Sequence, residues 1–340
     1  MTPNHSKPAD IWTLGDLSTP WSIHVVVTLR IAQHIAEGRR QIGDLARAAG
    51  ADADSLHRVL RHLVRHGIFE ESPVGLFALN DAARPLLDEG VVLGFDLDSF
   101  GGRMAHAWST LLTAVRTGRP AYYEVFGRPF WDDLAAHPEI AGRFDALMGP
   151  QGHGRPDPDV LLSGDWSNVR TVVDVGGGTG TLLAEILRAH PAVRGILVDQ
   201  PGTIARAEPL LHDAGLSARV TLAAQSFFDP LPAGADLYLL KSVLSDWPDR
   251  EAEIILTRCA EAARPGGRVL LDNEVSPDSD GGPAPELLMM VLVGGRGRSL
   301  SEFRPLAHRA GLEVAAAGRR RSGRFSVECV PAPSVTESKA

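Results

Sequence analysis

Apolar residues in the first part of the chain recur at three- and four-residue steps, which is the spacing of one buried face of a helix. An acidic residue, Asp52 or Asp54, stands where it can cap the third of these helices. Two apolar runs then flank the turn at Pro73–Gly75, so a small hairpin follows, and the pattern is that of a winged helix-turn-helix. The apolar positions are Ile31, Ile35, Leu45, Ala46, Ala49, Leu56, Val59, Leu60 and Leu63.

A different pattern begins near Val169, where short β-branched runs alternate with helical ones. Such alternation predicts an α/β fold with a doubly wound sheet of parallel strands joined by crossover helices. Between Gly101 and Gly152 the pattern is helical and rich in aromatic residues. The predicted strands are Thr171–Val175, Gly195–Val198, Val220–Leu222, Leu237–Leu240, Val269–Leu271 and Phe325–Val330, and the predicted helices between them are Leu182–Ala189, Ile204–Ala214, Ala252–Ala263 and Ser301–Ala310.

Composition narrows the classes of protein that fit these patterns. The net charge of −8 disfavours a nucleic-acid partner, because phosphate binding requires a concentrated positive surface. Charged residues interrupt every apolar stretch before the roughly 18 residues that cross a bilayer, so no membrane span is expected. Only Cys259 and Cys329 are present, and residues 1–10 lack the pattern of a secretory signal. We therefore expect a cytoplasmic protein without a metal site.

The clearest chemical motif is a glycine-rich loop. The apolar run Val172–Val175 leads into Gly176, Gly178 and Gly180, which open a helix. Glycines at the carboxyl edge of a parallel sheet let the backbone approach a nucleotide-type ligand. Asp199 ends the next strand roughly 20 residues later, where a carboxylate can accept hydrogen bonds from ribose hydroxyls. The dinucleotide fingerprint needs its third glycine where Thr181 stands, so a cofactor without a pyrophosphate is favoured.

These residues resemble a known family, the small-molecule O-methyltransferases of the plant caffeic-acid type and their bacterial natural-product relatives. The resemblance covers nearly the whole chain, with several motifs in the same order. They are Arg119–Pro120, Gly127–Leu134, Phe144–Met148, the glycine loop, Val198–Pro201, Lys241–Trp247 and Gly294–Ser299.

The resemblance implies a Rossmann-like domain that binds S-adenosylmethionine and a winged-helix domain that makes a homodimer, with the partner's N-terminal helices closing the substrate pocket. It also implies that Asp199 holds the ribose, that Phe227 and Trp247 flank the adenine, and that Lys241 and Met148 lie near the cofactor and the methyl-transfer chamber. The expected domains are residues 1–100 for dimerisation, 101–165 as a helical linker contributing to the substrate pocket, 166–330 for the cofactor, and 331–340 as a disordered tail.

The chain departs from the family pattern at the catalytic base. Ser245 stands where the plant enzymes have a histidine, one orienting glutamate matches Glu274, and the other falls on Gly297. Serine cannot usefully accept a proton near neutral pH without activation. Asp246, Glu274 and His153 are therefore further candidates for a catalytic role, with His106 a weaker one.

Two further sets of residues complete the candidate site. Ser226 replaces the acidic residue that commonly faces the adenine, and a serine still accepts a hydrogen bond. Aromatic and methionine side chains are expected to line the substrate pocket. These are Trp108, Phe126, Met289 and Met290.

The expected function is methyl transfer to a phenolic hydroxyl, or to an adjacent aromatic carbon, of a small natural product. One alternative is a family member that keeps the bound cofactor but uses it for hydroxylation or a pericyclic reaction. A minor alternative is a DNA-binding regulator, since residues 54–66 carry several basic side chains, although acidic residues surround them.

Overall fold

The computed structural model describes residues 10–149, 156–263, 265–280 and 286–333. The chain separates into two compact units, residues 1–105 and residues 106–340. His153 and the last seven residues of the expected tail lie outside the described residues. Within the described part, no helix is long and apolar enough to cross a membrane.

The first unit consists of short helices and a two-stranded hairpin, as the apolar spacing predicts. The helix Ala53–Arg65 is capped by Asp52, whose side chain accepts the Ser55 N–H at 2.8 Å. Its core includes the fully buried Leu45, Leu60 and Phe77. The helices are α1 Ile11–Leu14, α2 Ser18–Thr28, α3 Ile31–Ala36, α4 Ile42–Ala49, α5 Ala53–Arg65 and α6 Glu89–Phe95, and the antiparallel strands are β1 Glu70–Glu71 and β2 Phe77–Ala78.

Three of the five basic residues of α5 are paired with acidic neighbours in this unit. His57 Nε2 lies 2.7 Å from the Glu71 carboxylate, and Arg61 lies 3.4 Å from the same side chain. Arg58 pairs with Asp54 at 3.2 Å. These charges are thus largely balanced within the unit.

Helices again predominate between the hairpin and the large sheet. The buried Tyr122 hydroxyl donates a 2.7 Å hydrogen bond to Asp133, and His137 Nδ1 lies 3.0 Å from the other oxygen of that carboxylate. These buried polar contacts tie the loop that contains Tyr122 to the helix that contains Asp133. The helices are α7 Phe100–Ala107, α8 Leu111–Thr117, α9 Tyr123–Phe126, α10 Phe130–Ala136 and α11 Pro138–Met148, with a 3₁₀ turn at Trp108–Thr110.

A seven-stranded sheet forms the centre of the second unit, in the order β10-β11-β7-β6-β3-β4-β5. The strands from β7 to β5 in this order are parallel. The strands are β3 Thr171–Val175, β4 Arg194–Asp199, β5 Val220–Ala224, β6 Leu237–Leu240, β7 Arg268–Asp272, β10 Leu312–Arg319 and β11 Phe325–Pro331, and a separate pair consists of β8 Val275–Ser276 and β9 Arg298–Ser299.

Helices cover both faces of this sheet, because successive residues of a strand point to opposite sides. Val172 and Leu270 pack in the cluster that includes Leu183, whereas Val173 and Leu271 pack in the cluster that includes Ile255. This arrangement confirms the expected doubly wound α/β fold. The helices are α12 Thr181–Ala189, α13 Pro201–Asp213, α14 Asp249–Ala262, α15 Leu287–Leu292 and α16 Leu300–Arg309.

The expectation that all strands are parallel is wrong at one edge. After α16 the chain forms the hairpin of β10 and β11, and β11 pairs antiparallel with β7. The sequence pattern missed β10, because Ala315–Ala317 resembles helix and half of this edge strand is exposed, with no regular alternation between an exposed and a buried face.

Replacing Tyr122 by phenylalanine tests the buried polar group of the helical segment. The variant leaves the Asp133 carboxylate without its 2.7 Å donor in a buried place, which should lower the free energy of unfolding by about 1–3 kcal/mol. The measurement is urea unfolding. Tyr123→Phe is the matched control, since its ring is 54% exposed, and should change stability by less than about 0.5 kcal/mol. Equal stability of the two variants would contradict this account.

Candidate active site

The glycine loop follows β3 and enters α12 at the carboxyl edge of the sheet. Gly176, Gly178 and Gly180 all adopt positive φ angles, of 69°, 61° and 76°. Only glycine adopts such angles without strain. At Gly176 a Cβ would lie 2.8 Å from a Val243 methyl and 3.4 Å from the Phe227 ring. At Gly178 a Cβ would meet nothing, so the backbone there borders open space.

Asp199, at the end of β4, is joined directly to this loop. Its carboxylate accepts the Gly178 N–H at 2.8 Å and the Gln200 N–H at 2.7 Å. Burial raises the pKa of this carboxyl, and these two backbone hydrogen bonds oppose the rise. The neighbouring Asp145 also raises its pKa. The structure thus brings together the two parts of the motif, the glycines and the carboxylate.

An ion pair extends this arrangement to the helical segment. Arg206 Nε of α13 donates to the Asp145 carboxylate of α11 at 2.6 Å, and Arg206 Nη2 donates to Thr203 Oγ1 at 3.3 Å. The Thr203 hydroxyl also lowers the pKa of Asp199. Met148 lies at the end of α11, one turn from Asp145, and its side chain is 40% exposed. The sequence analysis did not identify Asp145 and Arg206, because no local pattern pairs two residues so far apart.

A second buried carboxylate lies beneath the loop. Asp174 is buried in β3, and its Oδ2 has no hydrogen-bond partner among the residues described. Burial raises its pKa to about 7, an effect that the charge of Lys241 opposes. Lys241 follows β6 directly, so the carboxyl ends of two adjacent strands carry opposite charges here. Asp174 stands inside the glycine motif, and that position was the signal which could have identified it.

Aromatic rings link the sheet edge to the helical segment. Trp247 contacts Phe228 at 4.9 Å and Phe227 at 6.0 Å between ring centroids, both edge to face, and stacks on Trp131 at 6.1 Å. An adenine lying between Phe227 and Trp247 would require one of these rings to turn. Ser226, one residue before, accepts the Phe228 N–H at 3.2 Å.

The aromatic series continues through the helical segment. Trp131 contacts Phe130, Phe130 contacts Tyr122, and Tyr122 contacts Phe126 at 4.4 Å. Phe126 is partly buried. This candidate substrate residue therefore belongs to a continuous series of rings that includes the candidate cofactor residue Trp247.

Glu274 holds the turn that carries Ser245, the residue at the position of the expected catalytic histidine. This buried carboxylate, just after β7, accepts the N–H groups of Val243 and Ser245. Ser242 and Asn273 have positive φ angles of 56° and 60°, which turn the chain so that these groups meet. Burial raises the pKa of Glu274 to about 7 despite these hydrogen bonds. Glu274 therefore acts on Ser245 through the backbone.

Asp246 lies in the same turn and is partly buried. Burial raises its pKa well above the ordinary value, and the charges of Glu274 and Glu286 add to the rise. A carboxyl in this environment favours its neutral form. The other candidate base, His153, lies outside the described residues, and His106 is exposed.

Arg298 fixes the far side of this turn. The buried guanidinium donates to the carbonyl oxygens of Leu244 at 2.9 Å and Trp247 at 2.8 Å, and to the Asp249 carboxylate at 2.9 Å. The backbone at Gly295 packs directly on the turn, since a Cβ there would lie 2.1 Å from the Ser245 carbonyl oxygen. Arg298 lies in a segment that carries the family resemblance, but no local pattern in the sequence indicates this role.

An open cavity of about 510 Å³ lies in this unit. The candidates Trp108 and Met289 both line it, and Glu286, Leu287 and Leu288 complete the wall. Met290 follows Met289 in α15 and is partly buried, but does not line the cavity. No group of three metal-ligating side chains is arranged to hold an ion in the described ranges.

Comparison with known proteins agrees with this geometry. The profile of the O-methyltransferase domain matches residues 108–313, and that of the O-methyltransferase dimerisation domain matches residues 14–89. The 2,7-dihydroxy-5-methyl-1-naphthoate 7-O-methyltransferase of Streptomyces carzinostaticus is 43% identical over 89% of this chain and 92% of its own. Aclacinomycin 10-hydroxylase RdmB of Streptomyces purpurascens is 38% identical over 91% and 85%.

A solved structure is also similar. The O-methyltransferase NcsB1 from neocarzinostatin biosynthesis, in complex with S-adenosylmethionine and 2-hydroxy-5-methyl naphthoic acid, is 40% identical with a TM-score of 0.89. The match covers 96% of this chain and 100% of that one. The chain thus belongs to the O-methyltransferase family, as its motifs predicted. It is an enzyme of the S-adenosylmethionine-dependent class, and it carries the family's dimerisation domain.

Arg298→Lys tests whether the guanidinium holds the turn. Lysine keeps the charge but not the planar fork that reaches two carbonyl oxygens and a carboxylate. Amide hydrogen exchange should become at least about tenfold faster at Val243 and Ser245, because opening the turn frees their N–H groups. Arg296→Lys is the control, since that side chain is half exposed and pairs with Glu302. Unchanged exchange in Arg298→Lys would show that the turn does not need it.

Proposed function

We propose that this protein transfers the methyl group of S-adenosylmethionine to a phenolic hydroxyl, or to an aromatic carbon beside one, of a small natural product. The open cavity lined by Trp108 and Met289 carries the proposal, since it is mostly apolar and has the volume of a small-molecule site. The activity of one relative and the ligand of a similar solved structure support it, because the first methylates a dihydroxynaphthoate and the second was solved with a hydroxynaphthoic acid.

The donors and acceptors at the sheet edge fit the cofactor. Asp199 can accept ribose hydroxyls, and the unpartnered Oδ2 of the buried Asp174 suits the cofactor's ammonium group. Phe227 and Trp247 offer aromatic faces for the adenine, with Ser226 beside them. When bound, the cofactor supplies a methyl group on a positively charged sulfur. Lys241, next to Asp174, and Met148, on the helix tied to Asp199 by Arg206, are assigned positions around it.

The chain's own contribution to the rate is chiefly positioning. Ser245 cannot take the place of the histidine as a base. A positioned general base typically supplies about 10²–10⁴ in rate, whereas correct placement of two reactants reaches effective molarities of about 10⁵–10⁸ M. The clamp of Glu274 and Arg298 on the Ser245 turn, and the series of aromatic rings, serve this placement.

This mechanism favours a phenol over an aliphatic alcohol as acceptor. A phenol has a pKa near 10, as tyrosine does, so its oxygen ionises far more readily. A nearby positive charge lowers that pKa further. A phenolic substrate is therefore favoured over an aliphatic alcohol.

We also propose that the protein is a homodimer formed through the dimerisation domain. Helix α1 exposes large apolar side chains, among them Trp12, which is 91% exposed. Such a surface on one short helix is typical of an interface.

A second candidate function is hydroxylation with the cofactor retained. The 38% identity to a hydroxylase and the replacement of the family's histidine by Ser245 both favour it. The two reactions differ in their products, because methylation adds a methyl group and hydroxylation adds an oxygen atom.

Incubation with methyl-labelled S-adenosylmethionine and a set of hydroxynaphthoates distinguishes these functions. We expect the label on one phenolic oxygen or on the carbon beside it, located by mass spectrometry and NMR. The matched control is the same compound with its hydroxyls already methylated, which should take up no label. A product with an added oxygen atom and no label would replace methyl transfer by hydroxylation.

A further inference from the structure

The absence of the family's histidine raises the question of which group accepts the phenolic proton. Three carboxylates lie near the Ser245 turn, namely Glu274, Asp246 and Glu286. They differ in whether their oxygens are free and in whether they reach the cavity.

Glu274 is fully engaged by the backbone. It is 6% exposed and accepts the N–H groups of Val243 and Ser245. It does not line the cavity. Releasing one of its oxygens for a substrate would break the turn that it holds, so Glu274 is a positioning residue.

Asp246 is also unsuited to accept a proton. Its carboxyl is desolvated, and the charges of Glu274 and Glu286 disfavour its ionisation. Asp246 does not line the cavity either.

Glu286 differs from both. It lines the cavity, and the other described residues of the wall, Trp108 and Leu287–Met289, carry no charge. Its side chain is exposed to solvent and accepts no hydrogen bond from the residues that the structure describes. Arg298 is the cation that acts on it, and Asp246 is the facing carboxyl. Helix α8 and the turn Trp108–Thr110 both contact α15, and the charged side chain on them is Arg116.

We propose that Glu286 is the general base that replaces the missing histidine, taking the proton from the phenol bound in this cavity. The inference rests on the proposed methyl transfer. The phenolic O–H bond breaks and its proton moves to a Glu286 oxygen. The phenolic oxygen bonds to the methyl carbon, while the donor sulfur keeps the electron pair of the broken carbon–sulfur bond. The anionic carboxylate becomes neutral as the positive sulfur does, so charge is conserved.

The environment of Glu286 suits this role. Partial burial raises its pKa above the ordinary value, and Arg298 opposes that rise. A base works best when its pKa approaches the working pH, because it is then both available and strong enough to attract the proton. The activity of the wild type should therefore rise with pH through this raised pKa and then level off, since only the ionised carboxylate accepts a proton.

The test compares Glu286→Gln and Glu286→Asp on two phenols of the same shape. One is an ordinary hydroxynaphthoate, and the other carries an electron-withdrawing group so that its phenol is already ionised at the assay pH. On the ordinary phenol, Glu286→Gln should lower kcat/KM by about 10²–10⁴ and move the rise of activity to the higher pH at which the phenol itself ionises. On the ionised phenol the loss should be below about tenfold, because no proton remains to be removed. Glu286→Asp should keep the rise with pH at a reduced rate.

Controls separate this role from a structural one. Glu313→Gln removes an exposed carboxylate of the edge strand β10 and should leave both activities unchanged. Titration of Glu286→Gln with S-adenosylhomocysteine should give wild-type affinity. The melting temperature of this variant should match that of the wild type, because the carboxylate has no hydrogen bond to lose.

Several outcomes would overturn the inference. Equal losses on both phenols would make Glu286 a binding residue rather than a base. Wild-type kcat/KM in Glu286→Gln, with the selective loss found instead in His153→Ala, would assign the base to the histidine. If the wild type binds S-adenosylhomocysteine but methylates neither phenol, the proposed function fails, and the inference fails with it.

Discussion

The hydrogen bond from the Gly178 amide to the Asp199 carboxylate joins the ends of two adjacent parallel strands, and the geometry of the site follows from it. Parallel strands place their carboxyl ends at one edge of the sheet, so β3, β4 and β6 deliver Asp174, Asp199 and Lys241 to the same region. Glycine alone permits the positive φ angles that bring the loop backbone to Asp199. The arrangement of these residues at the carboxyl edge of the sheet thus follows from the sheet topology combined with three glycines.

A second constraint on the site is the clamp of Glu274 and Arg298 on the turn after β6, which carries Ser245. Glu274 holds the amides of this turn and Arg298 holds its carbonyl oxygens, and the β8–β9 pair brings these two side chains to neighbouring positions. This turn carries Ser245 at the position where the family resemblance implies a histidine. Glu286 lies in the wall of the cavity, on another element, and we propose it as the proton acceptor.

Local patterns in the sequence were enough to predict most of this fold. Short apolar runs predicted β3 and β6 at their observed limits, and the glycine spacing predicted the loop. The N-cap of α5 was left open between Asp52 and Asp54, and the structure selects Asp52. Strand β10 was missed, because an alanine-rich edge strand with little buried surface lacks the period that identifies a strand.

The remaining site residues depend on contacts between distant parts of the chain. Arg206 meets Asp145 across 61 positions, and Arg298 meets Leu244 across 54. Neither pair has a spacing that a single sequence could indicate. The Glu286 carboxylate accepts no hydrogen bond from the residues that the structure describes. This too is a property of the folded chain, because it depends on which side chains pack nearby.

The central claim is that Asp199 and the glycine loop hold the cofactor. Its most direct test is a calorimetric titration with S-adenosylmethionine. The titration compares the wild type with Asp199→Ala and with Asp213→Ala. Asp213 is an exposed carboxylate at the end of α13, so its removal controls for the loss of one negative charge. We expect wild-type affinity in Asp213→Ala and at least about tenfold weaker binding in Asp199→Ala, because each lost hydrogen bond to a charged group is worth about 1.5–3 kcal/mol. Equal affinity in all three proteins would contradict the account.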